Sequence, residues 1–404
     1  MPVKGCLPAT SHLTSAVPAI SSALVPRAVS RLVLLRRWTA AVFAVLAVAS
    51  CAERAPITIG LAGPLTDPVG APMRLAAELA IAEINAAGGI RGRPLALLAL
   101  DDHGDPDSAI VVAGLLRTSA AVAVIGHVWS GTTLAAGPVY GEGTNPIPVI
   151  TPSSSAPNLT LIGDHLFRVC PTDLAHGSSL AAWARSGLGL DRVAVIYRND
   201  DYGRGIHRAF RATFLRQGGT VLGDFPILDV ASDAGPYLDL LARNGQAQAL
   251  VIAGDGADAL GIMAQAVDRG LSLPVLGGDG LEGIEEAGAV SEGVYLSVAW
   301  LPDGRRPAAR TFLDAWASRH PDQLPPNQPA AATWDIVHLL ATALRQAGPD
   351  RARLRAALAQ VGSDIPPHEG ATGRIGFTPE GDLLQGSVDL AVVRGGRLVR
   401  VAPR

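Results

Sequence analysis

The feature that most constrains this chain is a hydrophobic pattern that switches repeatedly between short apolar runs and longer amphipathic stretches. "ITIGLAGPL", "PLALLALDD", "AAVAVIG" and "IPVITPSSS" read as short buried strands. Between them lie "RLAAELAIAEINAAGG", which stops at Gly88-Gly89, then "DPDSAIVVAGLLRT" and "GTTLAAGPVYGEG". The first has a C-terminal glycine stop, and the second opens on a cap followed by proline in the first turn. Strands separated by helices can pair side by side only in parallel, so the class is α/β with parallel sheets flanked by helices.

The pattern then starts again. "RVAVIYRND", "GGTVLGDFPI", "AQALVIAGD" and "LPVLGGD" are strands, with "GRGIHRAFRATFLRQG", "PYLDLLARNG" and "ADALGIMAQAVDRG" as the helices between them. "GVYLSVAWLP" reads as a crossing back, "AAATWDIVHLLATALRQAG" and "RARLRAALAQVG" as late helices, and "RIGFTPEGDLLQGSVDLAVVRGGRLVRV" as a closing β-hairpin. The expectation is two similar α/β lobes.

The N-terminus is read as an address and excluded from the fold. "LLRRWTAAVFAVLAVASCAE" has a basic start at Arg36 and Arg37 and an apolar core from Thr39 to Val48, too short to cross a bilayer comfortably. Residues 1–50 are therefore expected to be a signal peptide, with 1–32 an over-long start. "VASC" resembles a bacterial lipobox, which makes Cys51 the expected lipidation site and membrane anchor. Cys6 falls in the removed part and Cys170 is left without a partner, so no disulfide and no cysteine-based metal site is expected.

Charge narrows the function classes. Lys4, Arg27, Arg31, Arg36 and Arg37 all lie in residues 1–50; setting those five of the 33 basic residues aside leaves 28 against 36 acids, a net of about −8. No Lys follows Lys4, and the Arg residues are scattered. That body is a poor match for nucleic acid, which demands clustered cations. Gly278-x-Gly280-x-x-Gly283 and Gly254-x-Gly256-x-x-Ala259 fit a dinucleotide fingerprint in spacing only, because Asp279, Glu282, Asp255 and Asp258 would face the pyrophosphate. No cofactor is expected. Nor is there a Walker loop, a G-x-S-x-G elbow around Ser130 or an H-E-x-x-H pair. His103 and His127 are read as solvated or hydrogen-bonded, and Asp101-Asp102 as holding the loop before the next helix.

What remains is a pocket. Ser130, Ser153 to Ser155, Asp255 and Asp279 all follow strand ends, where open parallel sheets bind ligands. "VWSGTT" after "AAVAVIG" is read as a pocket-lining turn, with Ser130 to orient a ligand and Trp129 to shelter it.

"EINAAGGIRG" with "DDHGDP", "AVIGHVWSGTT", "PVITPSSSAPNLT", "DYGRG" and "LGGDGLEG" come in an order that resembles the leucine/isoleucine/valine-type periplasmic binding proteins of ABC transporters, over about residues 56–395. The resemblance implies a type I periplasmic binding fold of two Rossmann-like lobes joined by three hinge crossings: 56–171 plus 300–385, and 172–299 plus 386–404. It also implies residue roles. Ser130 would hold a ligand α-carboxylate, Ser155 the carboxylate and amine, and the Ser153 carbonyl the amine. Tyr202 would close from the second lobe, and Asp279 would pair with the α-ammonium, a charge-assisted contact. Several positions depart from the family. Pro72 stands where an aromatic is common, Gly104 and Trp129 occupy the sites of a disulfide in some relatives, and Gln328 to Ala331 lack an aromatic. Asp255, near a usual aromatic position, is expected to reach the ligand and to favour an amide, a urea-like group or a cation. The implied function is capture of a small amino acid or amide-like ligand and delivery to an ABC permease. The protein would be a monomer, periplasmic or otherwise extracytoplasmic and lipid-anchored, with no chemistry. The alternatives are a ligand sensor on the same fold and, least well supported, a hydrolase.

Overall fold

In a computed structural model, residues 55–228 and 234–401 are described. The expected signal segment, Cys6 and Cys51 lie outside them. The first sheet contains β1 (Ile57–Gly63), β2 (Leu95–Asp101), β3 (Ala121–Ile125), β4 (Val149–Thr151) and β5 (Leu166–Arg168), in the spatial order β2-β1-β3-β4-β5. All its pairings are parallel. The helices α1 (Ala71–Ala86), α2 (Pro106–Thr118) and α3 (Ser130–Tyr140) connect its first four strands. β3, with sequence AVAVI, is buried at every residue, as a central parallel strand covered on both faces must be.

The second sheet is built from β6 (Arg192–Arg198), β7 (Thr220–Ile227), β8 (Leu250–Ala253), β9 (Val275–Gly277), β10 (Tyr295–Val298), β13 (Asp389–Val393) and β14 (Leu398–Arg400). Its order is β14-β13-β10-β9-β8-β6-β7. Strands β6 to β10 pair in parallel, and the last two add as an antiparallel hairpin on β10. Its helices are α4 (Asp173–Ser186), α5 (Asp201–Arg216), α6 (Gly235–Asn244) and α7 (Gly256–Asp268). Three further helices, α8 (Pro307–Arg319), α9 (Gln328–Ala347) and α10 (Arg351–Ala359), join the hydrophobic cluster of the first sheet through Phe312, Trp334, Leu340 and Leu358. A two-stranded ribbon, β11 (His368–Glu369) with β12 (Arg374–Ile375), follows. The chain thus passes between the sheets three times, after β5, after β10 and before β13.

Local chemistry fixes the element ends. Asp105 caps α2 by accepting from the Ser108 N–H, with Pro106 in the first turn. Gly89 ends the turn after α1 with φ +69°, and a Cβ there would meet the Arg93 carbonyl at 2.2 Å. The Asn85 side chain then clips α1 to β2 by bonding both the N–H and the carbonyl of Leu95.

Four readings of the sequence differ from the fold. "GVYLSVAWLP" is not only a crossing: Tyr295–Val298 is an internal strand of the second sheet. The terminal hairpin is confined to Asp389–Arg400, because Arg374–Ile375 pairs with its own ribbon instead. Strand β5, Leu166–Arg168, has no counterpart in the sequence reading. Helices α4 and α8 have no counterpart in the sequence reading. In α4 Gly177 lets α5 approach, since a Cβ would meet the Ile206 carbonyl at 2.7 Å. A helix so pressed on several sides shows little of the one-sided pattern by which helices are recognised.

Candidate functional site

The carboxyl ends of β3 and β4 build one wall. After β3 the chain passes through Trp129, the N-cap of α3, whose side chain makes no capping hydrogen bond. Ser130 is the first helical residue and does not cap the helix either. Its Oγ accepts from the N–H groups of Ser155 and Ala156, each at 3.2 Å. A hydroxyl has two lone pairs and one proton. With both acceptor directions taken by the loop after β4, what Ser130 has left to offer is its proton, beside the uncapped N–H groups of α3. Both features favour an anion.

The remaining hydroxyls of this wall hold the loops together. Thr132 and Thr133 donate to the Trp129 carbonyl, and Thr133 meets Ser154 at 2.5 Å. The carbonyls of the second loop are also engaged. Gln328 Nε2 donates to Pro152 O at 2.9 Å, Cys170 Sγ to Ser154 O at 3.3 Å, the Asp173 N–H to Ser155 O at 2.9 Å and Arg168 Nη1 to Ala156 O at 2.8 Å. Among the described residues, the Ser153 carbonyl alone of residues 151–156 accepts no hydrogen bond.

The second wall comes from α5 and the loop after β9. Tyr202 Oη donates to Asp279 Oδ1 at 2.9 Å and accepts from the Gly280 N–H at 2.7 Å. Burial and the Asp279 charge raise the Tyr202 pKa well above the ordinary phenol range. His176 Nε2 stands 3.4 Å from Asp279 Oδ2, and its Nδ1 lies 3.2 Å from Ser297 Oγ. Tyr202 and Asp279 are therefore held as a unit.

Asp173 joins the two walls. It is wholly buried at the start of α4, and neither carboxylate oxygen completes a hydrogen bond. Burial pushes its pKa up to about 8; Ser155 and Arg168 oppose that, while Asp279 and Asp200 add to it. Glu282 behaves alike. Its Oε1 is buried without a hydrogen-bond partner, and burial, Asp279 and Glu285 raise its pKa well above the carboxylate range against the Gln328 backbone. The sequence reading did not select Asp173, His176 or Glu282. The usable signal was position, since Asp173 and Glu282 each lie five positions beyond a strand end, after β5 and after β9.

Asp255 is engaged by its own helix and by Arg198. It caps α7 in a reciprocal box with Asp258, and its Oδ2 accepts from Arg198 Nη2 at 2.6 Å. A carboxylate so engaged by a cap and a guanidinium is occupied by the fold itself. Trp129 lies against Gly104, where a Cβ would come within 2.9 Å of Nε1. The ring therefore fills the space beside the glycine and packs on the core of the first sheet.

Ser130 has no base. His127 is buried, with Nδ1 2.5 Å from Asp102 Oδ2 and Nε2 3.0 Å from Tyr140 Oη, so both ring nitrogens are engaged away from Ser130. Asp101 accepts from the N–H groups of Leu65 and His103, fixing the loop after β1. No cluster of metal-ligating side chains occurs among the described residues. In the same residues no helix is long and apolar enough to cross a membrane.

A family model described as periplasmic binding protein matches residues 56–397. This chain belongs to the periplasmic binding protein family. The binding protein is 28% identical over 355 residues to a Leu/Ile/Val-binding protein homolog of Brucella melitensis, covering 86% of this chain and 94% of that one. It is 29% identical to a leucine-, isoleucine-, valine-, threonine- and alanine-binding protein of Pseudomonas aeruginosa, over 84% and 92%. A leucine binding protein from Thermotoga maritima shares its fold with a TM-score of 0.77 at 26% identity, over 86% of this chain and 98% of the other. A substrate-binding protein from Desulfitobacterium hafniense in complex with Leu gives 0.74 at 27%, over 86% and 100%. The fold is that of the type I periplasmic binding proteins, and the chain is a binding protein rather than an enzyme.

Proposed function

We propose that the binding protein captures a small amino acid or amide-like ligand between its two lobes, residues 56–171 plus 300–385 and 172–299 plus 386–404, and delivers it to an ABC permease. The observation that carries this is the opposed layout of donors and acceptors. The Ser130 hydroxyl and the start of α3 offer protons to a carboxylate. The Ser153 carbonyl and Asp279 offer oxygens to an ammonium. Ser155 and Tyr202 complete the set, and Trp129 shelters it from the side. A ligand that touches both walls binds the closed form better than the open one, which is what drives hinge closure.

The acid that tunes selectivity is Glu282 rather than Asp255. Its unbonded oxygen favours a ligand with a second N–H donor besides the α-ammonium, such as an amide or a basic side chain. The test is titration calorimetry of residues 52–404 with leucine, alanine, glutamine, arginine, urea and putrescine. Binding of at least one amino acid, weakened 100-fold or more by Asp279→Ala, is the expected result. Heat from urea or putrescine alone, or amino-acid binding indifferent to Asp279→Ala, would overturn the zwitterion grip.

Delivery requires tethering, and the lipobox supplies it: Cys51 carries the acyl anchor that keeps the protein at the outer face of the membrane. In cells, Cys51→Ser should move the protein from the membrane to the soluble fraction.

A further inference from the structure

A cavity of about 310 Å³ lies where the three passages between the sheets run side by side. Pro171 of the first passage, Ala299 of the second and Ser387 of the third all line it, and the β11–β12 ribbon, the start of α8 and Gln328 at the start of α9 contribute to its remaining wall. None of Ser130, Ser153, Ser155, Tyr202, Asp279 and Glu282 is among the lining residues. Its volume is at the lower end of small-molecule sites.

Its charge is unlike that of the cleft. Arg306 and Arg374 both line it, against the single acid Glu369, whose Oε1 is 3.5 Å from Arg374 Nε. Arg306 has no ion-pair partner among the described residues. The acid nearest to it in sequence, Asp303, is shared by Arg305 at 3.2 Å and Arg400 at 2.9 Å. One guanidinium is therefore uncompensated at the mouth of a polar cavity, and guanidinium forks suit carboxylates.

The ribbon wall is firmly held. Asp335, wholly buried in α9, accepts from the N–H groups of Ala371 and Thr372 and from the Thr372 hydroxyl at 2.6 to 2.8 Å. Trp300 Nε1 donates to the Ala371 carbonyl at 3.0 Å, tying the ribbon to the second passage. The cavity is thus bounded by fixed backbone on the ribbon side, which is what a formed site requires.

We propose that this hinge-side cavity is a second ligand site, separate from the interlobe cleft, for a small organic anion of the di- or tricarboxylate class held by Arg306 and Arg374. Titration calorimetry of residues 52–404 with citrate, at an ionic strength matched with sodium chloride, tests it. One citrate per chain is expected, with affinity reduced at least 10-fold in Arg306→Gln and in Arg374→Gln and unchanged in Ser130→Ala. Both arginines are exposed, so the two variants fold, as circular dichroism will check. No binding to the wild type overturns the proposal, and so does binding that survives both arginine substitutions. Binding lost in Ser130→Ala also overturns it, because the anion would then be held by the cleft hydroxyl and the start of α3.

Discussion

Replacing Asp173 by Asn tests the electrostatic reading of the site most directly. The carboxyl is wholly buried without a completed hydrogen bond, and its pKa is raised from 3.8 to about 8. Between those values the native state keeps a proton that the unfolded chain has lost. The native state therefore binds more protons, and stability falls as pH rises through the window. The contribution is fully present below about pH 4 and is gone above about pH 8. One proton corresponds to about 1.4 kcal/mol per pH unit, so the gap of about four units sets a ceiling of about 5 kcal/mol. Relaxation and water entry around a buried charge reduce this to about 2 to 3 kcal/mol. Asn is close to isosteric and does not ionise. In the ligand-free protein the Tm of Asp173→Asn minus that of the wild type should grow steadily from pH 5 to pH 8, by several degrees in all. Taking the difference cancels the titration of groups that both proteins share. A difference that stays flat across that range, or that shrinks as pH rises, would refute the claim that Asp173 is held protonated.

Other substitutions separate binding from structure. Asp255→Ala should lower stability by about 1 to 2 kcal/mol through loss of the α7 cap and of the Arg198 partner, measured by urea unfolding, and leave the affinity for the cleft ligand unchanged. Tyr202→Phe removes the hydroxyl between Asp279 and the Gly280 N–H; ligand affinity should drop about 10-fold in calorimetry, with secondary structure intact by circular dichroism. Gly205→Ala places a methyl 2.0 Å from Asp173 Oδ2 and should cost about 1 to 3 kcal/mol in urea unfolding, with part of the loss recovered in an Asp173→Ala background. Glu282→Gln should shift selectivity in a thermal-shift panel away from cationic side chains and toward neutral ones.

The fold could be read from the sequence wherever apolar runs were long enough to show a period. β3 and β8 sit inside unbroken aliphatic runs, and α2 carries an explicit start signal in Asp105-Pro106. β5 escaped because its three residues, Leu-Phe-Arg, end in a cation and lie in no aliphatic run of the kind that marks β4 and β9. α4 escaped because Gly177 and Ser178 sit in its middle and neighbours cover several of its faces. The candidate site was legible as a set of positions after strand ends, since parallel topology alone brings those ends together. The division of labour among acids was not legible. Asp255, Asp279 and Glu282 all follow strands in similar glycine-rich surroundings. Only the placement of Arg198 beside Asp255, Tyr202 beside Asp279 and nothing beside Glu282 Oε1 separates their roles.

That division sets the electrostatics of closure. Asp279 raises the energy of ionising both Asp173 and Glu282. The guanidinium groups near them are largely committed. Arg168 Nε pairs with Asp382 at 2.5 Å and its Nη1 donates to the Ala156 carbonyl, so that it offsets the Asp173 charge only in part through its unbonded Nη2, while Arg198 is held by Asp255 and Asp258. Bringing like charges together in a space from which water is displaced is unfavourable, and each charge then shifts its neighbour's pKa toward neutrality. A ligand ammonium placed among the three acids reverses the sign of those interactions. On the proposed function, closure and recognition are the same event: the cleft closes on a molecule that brings a cation, while the protons displaced from Asp173 or Glu282 leave to the solvent. Binding should accordingly release protons, and the calorimetric heat should depend on the ionisation enthalpy of the buffer.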